Sequence, residues 1–346
     1  MNPILPSPVL YCPYSQLGDQ PNIIVDGKAQ HATQLTLSHW PWNATPEGLL
    51  RDTSTEIAFA YLDQPELHES IDLVSNSHFD EDGLLSMYVL VDPKNALTHR
   101  DLMVATSRAG DFAIYSDAKA AKLSFVLAAY ADPATSPLPD EVFSGSAPAQ
   151  IAGLYATMLR ELPSLLDDVD GKREYWEEEY AHVLESERAI VEGRVVIDEV
   201  PELELAIVRI PADMPVRRVR RYLQGWQRSV HPFAVHNITD CSRLVWLKES
   251  SVGGASLEFQ YRYESWVQLV SRRPMQRIDL DGLAKELGRR ESAGGEWVFE
   301  GVNEVAPRLR VSGSCRSSIP AEQFMELLCD WLRTQPPAWD PYNKPD

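Results

Sequence analysis

The 346-residue chain predicts an α/β fold: a parallel-sheet N-terminal domain followed by a smaller α+β C-terminal domain. Three observations predict it. Short apolar runs alternate with helical stretches from Ile23 to Tyr130, the pattern of strands joined by helical crossovers. Beyond Val195 the texture changes, with several strand-like runs followed by helices. Hydrophobic residues make up 44% of the chain, enough for a sizeable core.

Residues 1–30, rich in Pro, Gly and Asn, read as an irregular arm. Within it Ile23-Ile24-Val25 is a short strand, turned at Asp26-Gly27. Residues 34–38 alternate as a strand and stop at His39-Trp40-Pro41. Thr45-Pro46-Glu47 predicts a helix start, with Thr45 as N-cap and Pro46 at the first position. That helix runs through Leu49, Leu50, Ile57, Ala58 and Tyr61, with a break near Thr53-Ser54. Ile71–Ser75 is the next strand, and Leu84–Val91 a buried helix that Asp92-Pro93 breaks. Helices are predicted over 96–107, 118–130 and 147–166, with linker composition at 132–139. Residues 175–192 read as an acidic helix. Strands follow at 195–198, 203–208, 244–247 and 256–261, then helices at 280–290 and 321–333 and a loose tail from Pro336. The expected domains are 1–145, a helical connector 146–194, and 195–346.

The formal net charge is −19, which opposes binding of bulk duplex nucleic acid. Arginine supplies 24 of the 32 basic residues, and 17 of those 24 lie at Arg209 or beyond. The strongest basic run, Arg217-Arg218-Val219-Arg220-Arg221, is a weak nucleic-acid patch because few aromatics accompany it. No apolar run is long enough to span a membrane, and no secretory signal is expected, since Met1–Pro6 lacks a basic n-region and carries prolines. Four scattered cysteines form neither a zinc pattern nor a disulfide framework; reduced thiols in a cytoplasmic protein are expected.

The chemistry concentrates in Ser77-His78-Phe79-Asp80-Glu81-Asp82-Gly83. In an extended segment His78, Asp80 and Asp82 share one face, and Phe79 turns to the core. A ligand site is expected here, beyond the carboxyl end of a parallel strand. Two carboxylates and an imidazole suit manganese, with magnesium, iron or zinc as other candidates. An EF-hand is excluded, because Val89 stands at the twelfth position. The competing reading is a polar turn whose aspartate caps the following helix.

The run His78-Phe-Asp80-Glu-Asp82-Gly83-Leu-Leu-Ser86 after an apolar strand resembles the first motif of the DHH phosphoesterase superfamily. The resemblance covers roughly residues 34–115 and implies a manganese-dependent, two-metal hydrolysis of phosphodiesters or phosphoanhydrides. It implies metal ligation by His78, Asp80 and Asp82. No Asp-His-His signature is present; Ser38-His39-Trp40-Pro41 has a similar shape, in permuted order, and offers His39. Ala109-Gly110-Asp111-Phe112 resembles a later motif that supplies another aspartate, with Arg108 beside it to meet phosphate. The roles implied are thus catalysis by His39, Asp82 and Arg108, metal ligation by His39, His78, Asp80, Asp82 and Asp111, and substrate binding by Arg108. The same segments also resemble an uncharacterised bacterial family of unknown function.

In the second domain Arg262 and Arg272 lie near Trp266 in sequence and are further substrate-binding candidates. Ala293-Gly294-Gly295-Glu296 lacks the histidine that follows the superfamily's glycine-rich segment and reads as a plain turn; His231 and His236 read as core or loop histidines. The expected function is a metal-dependent phosphoesterase acting on a small phosphorylated molecule or short oligonucleotide, in a soluble protein for which a homodimer is a candidate assembly. Two other readings remain: a non-catalytic nucleotide- or partner-binding protein on the same scaffold, and an interaction protein that docks a basic partner on helix 175–192.

Overall fold

A computed structural model describes residues 7–221, 224–249, 255–312 and 316–344. Cys315, one of the four cysteines, lies outside the described residues; Cys12, Cys241 and Cys329 form no disulfide. The chain divides into two compact units. One comprises residues up to Ala181 together with Arg218–Trp226 and Leu269–Ser271; the other holds the remainder.

The first unit is built on a four-stranded, wholly parallel sheet of β1 (Leu10–Tyr11), β2 (Asn22–Val25), β3 (Thr33–Leu37) and β4 (Leu73–Ser75), in the order β1-β4-β2-β3. The mixed α/β architecture and the parallel N-terminal sheet are as the sequence predicts. β2 is buried along its whole length, as a central parallel strand must be. Strand β1 lies within the arm that reads as irregular from its sequence.

Helix α1 (Ser54–Leu62) begins later than the sequence signal at Thr45 indicated. Thr45 Oγ1 is instead engaged by the Ser38 backbone, and only a 3-10 turn forms at Glu47–Leu49. The true start is a capping box. Thr53 Oγ1 accepts from Glu56 N at 3.2 Å, and Glu56 Oε2 accepts from Thr53 N at 3.1 Å. Thr53→Ala should cost about 1 kcal/mol of stability, measured by urea unfolding; no loss would show that the box contributes nothing.

The helices α2 (Glu81–Val91), α3 (Pro93–Thr98), α4 (Arg100–Phe112), α5 (Ala118–Ala131) and α6 (Ala147–Asp167) follow. Leu84, Leu85 and Met87 of α2, and Leu154, Met158 and Leu162 of α6, join Ile23, Val25 and Leu37 of the sheet in one core. Asp92-Pro93 acts as a stop and a start together, since Asp92 caps α3 and Pro93 occupies its first position.

Helix α7 (Arg173–Val191) is followed by β5 (Val196–Val200), β6 (Leu205–Ile210), the paired β7 (Arg217–Arg221) and β8 (Gln224–Arg228), and the short α8 (Pro232–His236). Then come β9 (Arg243–Glu249), β10 (Ala255–Tyr261), β11 (Arg277–Ile278), α9 (Asp281–Arg290), β12 (Glu296–Phe299), β13 (Arg308–Ser312), α10 (Ala321–Thr334) and β14 (Pro337–Trp339). A six-stranded mixed sheet runs β12-β13-β10-β9-β6-β5, with only β6 and β9 parallel. Leu283 and Leu287 of α9, with Phe324 and Leu328 of α10, pack on Val245, Leu257 and Phe259 of that sheet. Its other face buries Val208, Leu244 and Trp246 against Val230 and Val235. Among the described residues no helix is long and apolar enough to cross a membrane.

Candidate metal centre

The cluster forms where three adjacent strands of the parallel sheet end. Asp26 follows β2 directly, His39 lies two residues past β3, and Asn76 and His78 follow β4. Asp26 adopts φ 43°, a left-handed conformation that short polar side chains tolerate, and so leaves the strand axis at once. The N-terminus of α2 brings Asp80 and Asp82, and the last turn of α4 brings Asp111.

Asp26 is the hub, and the sequence reading did not select it. Its Oδ1 lies 3.4 Å from His39 Nε2, and its Oδ2 lies 3.2 Å from His78 Nε2. His39 Nε2 is 3.8 Å from Asp82 Oδ2 and 3.5 Å from Asp111 Oδ2. His78 Nε2 is 2.9 Å from Asp80 Oδ2. The ligand atoms of Asp26, His39 and Asp82 all lie within 4.8 Å of one another, and so do those of Asp26, His78 and Asp80. The buried Asp26–His39–Asp82 group could hold a metal ion. The donor set fits: carboxylate oxygens and an imidazole nitrogen converge within 4.8 Å in a buried setting, a costly gathering of like-charged oxygens unless a cation meets them.

The supporting contacts hold the ligand atoms in place. The Asp52 carbonyl accepts from His39 Nδ1 at 2.6 Å, so Nδ1 carries the proton and Nε2 is turned to the carboxylates. Asp82 accepts from Ser54 N at 2.7 Å and Thr55 N at 2.8 Å, the open amides of the first turn of α1. Ser54 Oγ donates to Asp26 Oδ1 at 2.8 Å. Asp80 accepts from Gly83 N at 2.8 Å while it faces His78. The capping reading and the metal-ligand geometry therefore coexist in one residue, one oxygen for each.

The turn differs from the expected extended segment. Asp80 is the N-cap and Asp82 is already helical, so His78, Asp80 and Asp82 do not share a face; they divide between two ligand groups joined by Asp26. Phe79 packs in the core, as read. Gly83 is not a reversal but a spatial necessity. A Cβ there would stand 2.6 Å from Asn76 Nδ2 and 2.7 Å from Tyr155 Oη.

Burial opposes charge throughout the cluster, but the groups respond differently. Bonds from His39 and His78 overcome the burial of Asp26 and hold it below the carboxylate range. Both histidines are raised: burial lowers them, and the surrounding carboxylates more than offset it. Burial, then the Asp26 charge, pushes Asp82 up to about 7. Asp111 is raised well above the usual range by burial and by Asp82, Asp80 and Asp26. Burial and the nearby carboxylates likewise raise the Tyr155 hydroxyl.

For Asp82 the unfolded value is about 3.9, so the folded state holds its proton more tightly. That stabilisation is complete below about pH 4 and is lost as pH rises through about 7. The raised histidines act in the same direction, while Asp26 acts oppositely only at acid pH. Metal-free protein should therefore lose stability between pH 5 and pH 8, and manganese should stabilise it more at pH 8, where fewer protons must leave. Thermal unfolding with chelator and with Mn²⁺ at both pH values checks this; equal metal stabilisation at both would exclude these ligands.

The remaining candidates lie elsewhere. The Asp52 carboxylate is turned from the cluster: Oδ1 accepts from Val270 N and Ser271 N, and Oδ2 is 3.3 Å from Arg108. Arg108 also pairs with Glu56 at 2.9 Å and lines a cavity of about 530 Å³ with Arg51, Arg100 and Asp101. Arg262 is buried, donating to the Thr239 and Cys241 carbonyls and pairing with Glu264. Arg272 lies 3.8 Å from Glu264. Arg218 pairs with Asp132, Arg220 with Glu179, and Arg217 with Glu185, so these three arginines of the basic run are charge-matched. His231 caps α8, accepting from Phe233 N. A signal for Asp26 existed in the sequence: it is the acidic residue directly after the most apolar strand, at the end where ligands gather.

No curated protein matches the sequence. Residues 7–343 match the model of a family of unknown function, DUF6687, and the chain belongs to that family.

Proposed function

We propose that this chain is a metal-dependent hydrolase of phosphate esters or anhydrides, acting on a small phosphorylated molecule or a short single-stranded oligonucleotide. The observation that carries the reading is Asp26, one carboxylate between two ligand groups, His39 with Asp82 on one side and His78 with Asp80 on the other. A carboxylate in that position suits a pair of divalent cations, manganese above all. Cations there would polarise a phosphoryl oxygen and make a bound water acidic. The chain's own residues orient and neutralise: Asp52 fixes the His39 tautomer, and the α1 amides fix Asp82. A chain of net charge −19 also needs cations to admit an anionic substrate. The likeness of the His78–Ser86 run to the DHH phosphoesterases supports the same reading. Arg108, on the cavity-facing side of α4, is proposed to meet the substrate phosphate outside the metal ligands.

Metal analysis of protein purified without chelator should find manganese, iron or zinc. Mn²⁺-dependent cleavage of a generic phosphodiester should vanish in Asp80→Asn/Asp82→Asn. A protein that neither carries nor binds such a metal would overturn the proposal. One observation favours the non-catalytic alternative: Trp40, in place of a signature histidine, packs against His78 with ring centroids 4.9 Å apart and the planes tilted by 35°. Metal and phosphate binding without turnover of phosphodiester or pyrophosphate substrates would support it.

A further inference from the structure

The cavity of about 530 Å³ beside Arg108 is large enough for a small ligand and open to solvent. It lies between one face of α1 and one face of α4. Glu56, Phe59 and Ala60 recur on α1, and Val104, Ala105 and Arg108 on α4, at the three- and four-residue spacing that keeps side chains on one side of a helix. Phe59, Ala60, Val104 and Ala105 make its middle apolar, and its two ends carry opposite charge. At one end stand Arg108 and Arg51. Arg108 pairs with Glu56 at 2.9 Å; its second partner, Asp52, does not line the cavity and is met by the Val270 and Ser271 amides. Arg51 donates only to the Gly48 and Leu50 carbonyls, at 3.4 and 2.6 Å, and pairs with no carboxylate among the described residues. At the other end one guanidinium faces two carboxylates. Arg100 is forked on Asp63, at 3.0 and 2.5 Å, with its plane 5.0 Å from the Phe59 ring centre. Asp63 first, and Asp101 after it, strengthen the charge on Arg100. Asp101 itself is exposed and has no ion-pair partner among the described residues.

The lining thus leaves one positive charge unmatched at Arg51 and one negative charge unmatched at Asp101. Asp101 and Arg108 stand about two turns apart on α4, or ~10 Å. Arg51 adjoins Asp52, whose carboxylate touches Arg108, so it belongs to the same end as Arg108. A ligand complementary to this cleft carries an anion at one end, an apolar body and a cation at the other. We infer that the cleft binds a zwitterionic phosphate ester, with the phosphate on Arg51 and Arg108 and a terminal amine on Asp101. The choice of phosphate rests on the phosphate-ester reading above, and the inference gives that reading a substrate class, amine-bearing esters. Access is direct, since the Arg100 and Arg108 side chains are 38% and 40% exposed and Arg51 is exposed. No residue of the two metal-ligand groups lines the cleft, so its occupancy can be read without a cation.

The test compares aminohexyl phosphate, whose extended chain suits the spacing, with hexyl phosphate, by calorimetry on the full chain in chelator. Wild type should bind the amine-bearing ester about threefold to fivefold more tightly, the size of one partly exposed ion pair. Asp101→Asn should abolish that preference and leave hexyl phosphate binding unchanged. Arg51→Gln should weaken both ligands by a similar factor, about threefold to fivefold. Both substitutions fall on exposed side chains, and circular dichroism checks their folding. Equal affinity for the two esters in wild type, binding of neither, or a preference that survives in Asp101→Asn would overturn the inference. A preference lost in Asp101→Asn upholds the cleft even in a protein that binds no Mn²⁺, in which case the metal reading alone fails. Mn²⁺ binding without the preference overturns the cleft alone.

Discussion

Asp26→Asn should abolish tight metal binding while the protein stays folded. The substitution preserves shape and removes one charge, but that carboxylate serves both ligand groups, Oδ1 toward His39 and Oδ2 toward His78. Loss of a residue that only supports a ligand weakens metal affinity by about 10–100-fold, so loss of a shared ligand should exceed about a hundredfold. Asp52→Asn is the matched control. Its carboxylate is bound to Val270 N, Ser271 N and Arg108, and its contact with His39 is through the backbone carbonyl, which the substitution leaves intact. That variant should keep Mn²⁺ affinity within about threefold of wild type, since it alters no first-layer ligand. Calorimetric titration of both variants decides the matter. Equal losses would mean general damage, and no loss in Asp26→Asn would place the ions elsewhere.

Gly110→Ala should destabilise the first unit. A Cβ on Gly110 would stand 2.7 Å from Glu81 Cβ, with Glu81 Cγ and Cδ at 3.1 Å. Glu81 Cβ is tied to the backbone of α2 and cannot swing aside, so α2 and α4 must separate. Overpacking of this kind costs about 1–3 kcal/mol. Alanine gains up to about 1 kcal/mol over glycine in a helix, which offsets only part of the loss. The variant should be destabilised by about 1 kcal/mol in urea unfolding, a net of those two effects. It should also bind metal less tightly, because Asp80 and Asp82 flank Glu81 and Asp111 adjoins Gly110. An unchanged or raised unfolding midpoint would show that the helices have room to spare.

The two glycines show why some of the site was hidden. In the sequence Gly83 invites a conformational explanation, a tight turn after an acidic loop. In the fold its backbone is helical, and what matters is the space that Asn76, Tyr155 and Asp80 fill. Gly110 looks like part of a loop motif around Asp111, yet it is the crossing point of two helices. Neither role is legible locally, because each depends on atoms far away in the chain. Thr45 and Thr53 illustrate the same limit for helix starts. Both have N-cap chemistry, but only Thr53 has Glu56 three residues on to close the box, and Thr45 is drawn to Ser38 instead.

What the sequence determined by itself is the alternation of apolar strands and helices, hence the parallel sheet, and the acidic, histidine-bearing turn at 78–83. These are short-range properties: periodicity, capping chemistry, and the types of side chain that bind cations. The pairing of His39, Asp82 and Asp111 could be expected only through resemblance to a family, and Asp26 carried only the weak signal of an acidic residue directly after an apolar strand. Tertiary structure decided those points, because parallel strands bring their carboxyl ends together however far apart they lie in sequence. That geometry sets Asp26, His39 and His78 around one centre, makes Asp26 the shared carboxylate, and gathers buried charges whose mutual repulsion a bound cation would relieve.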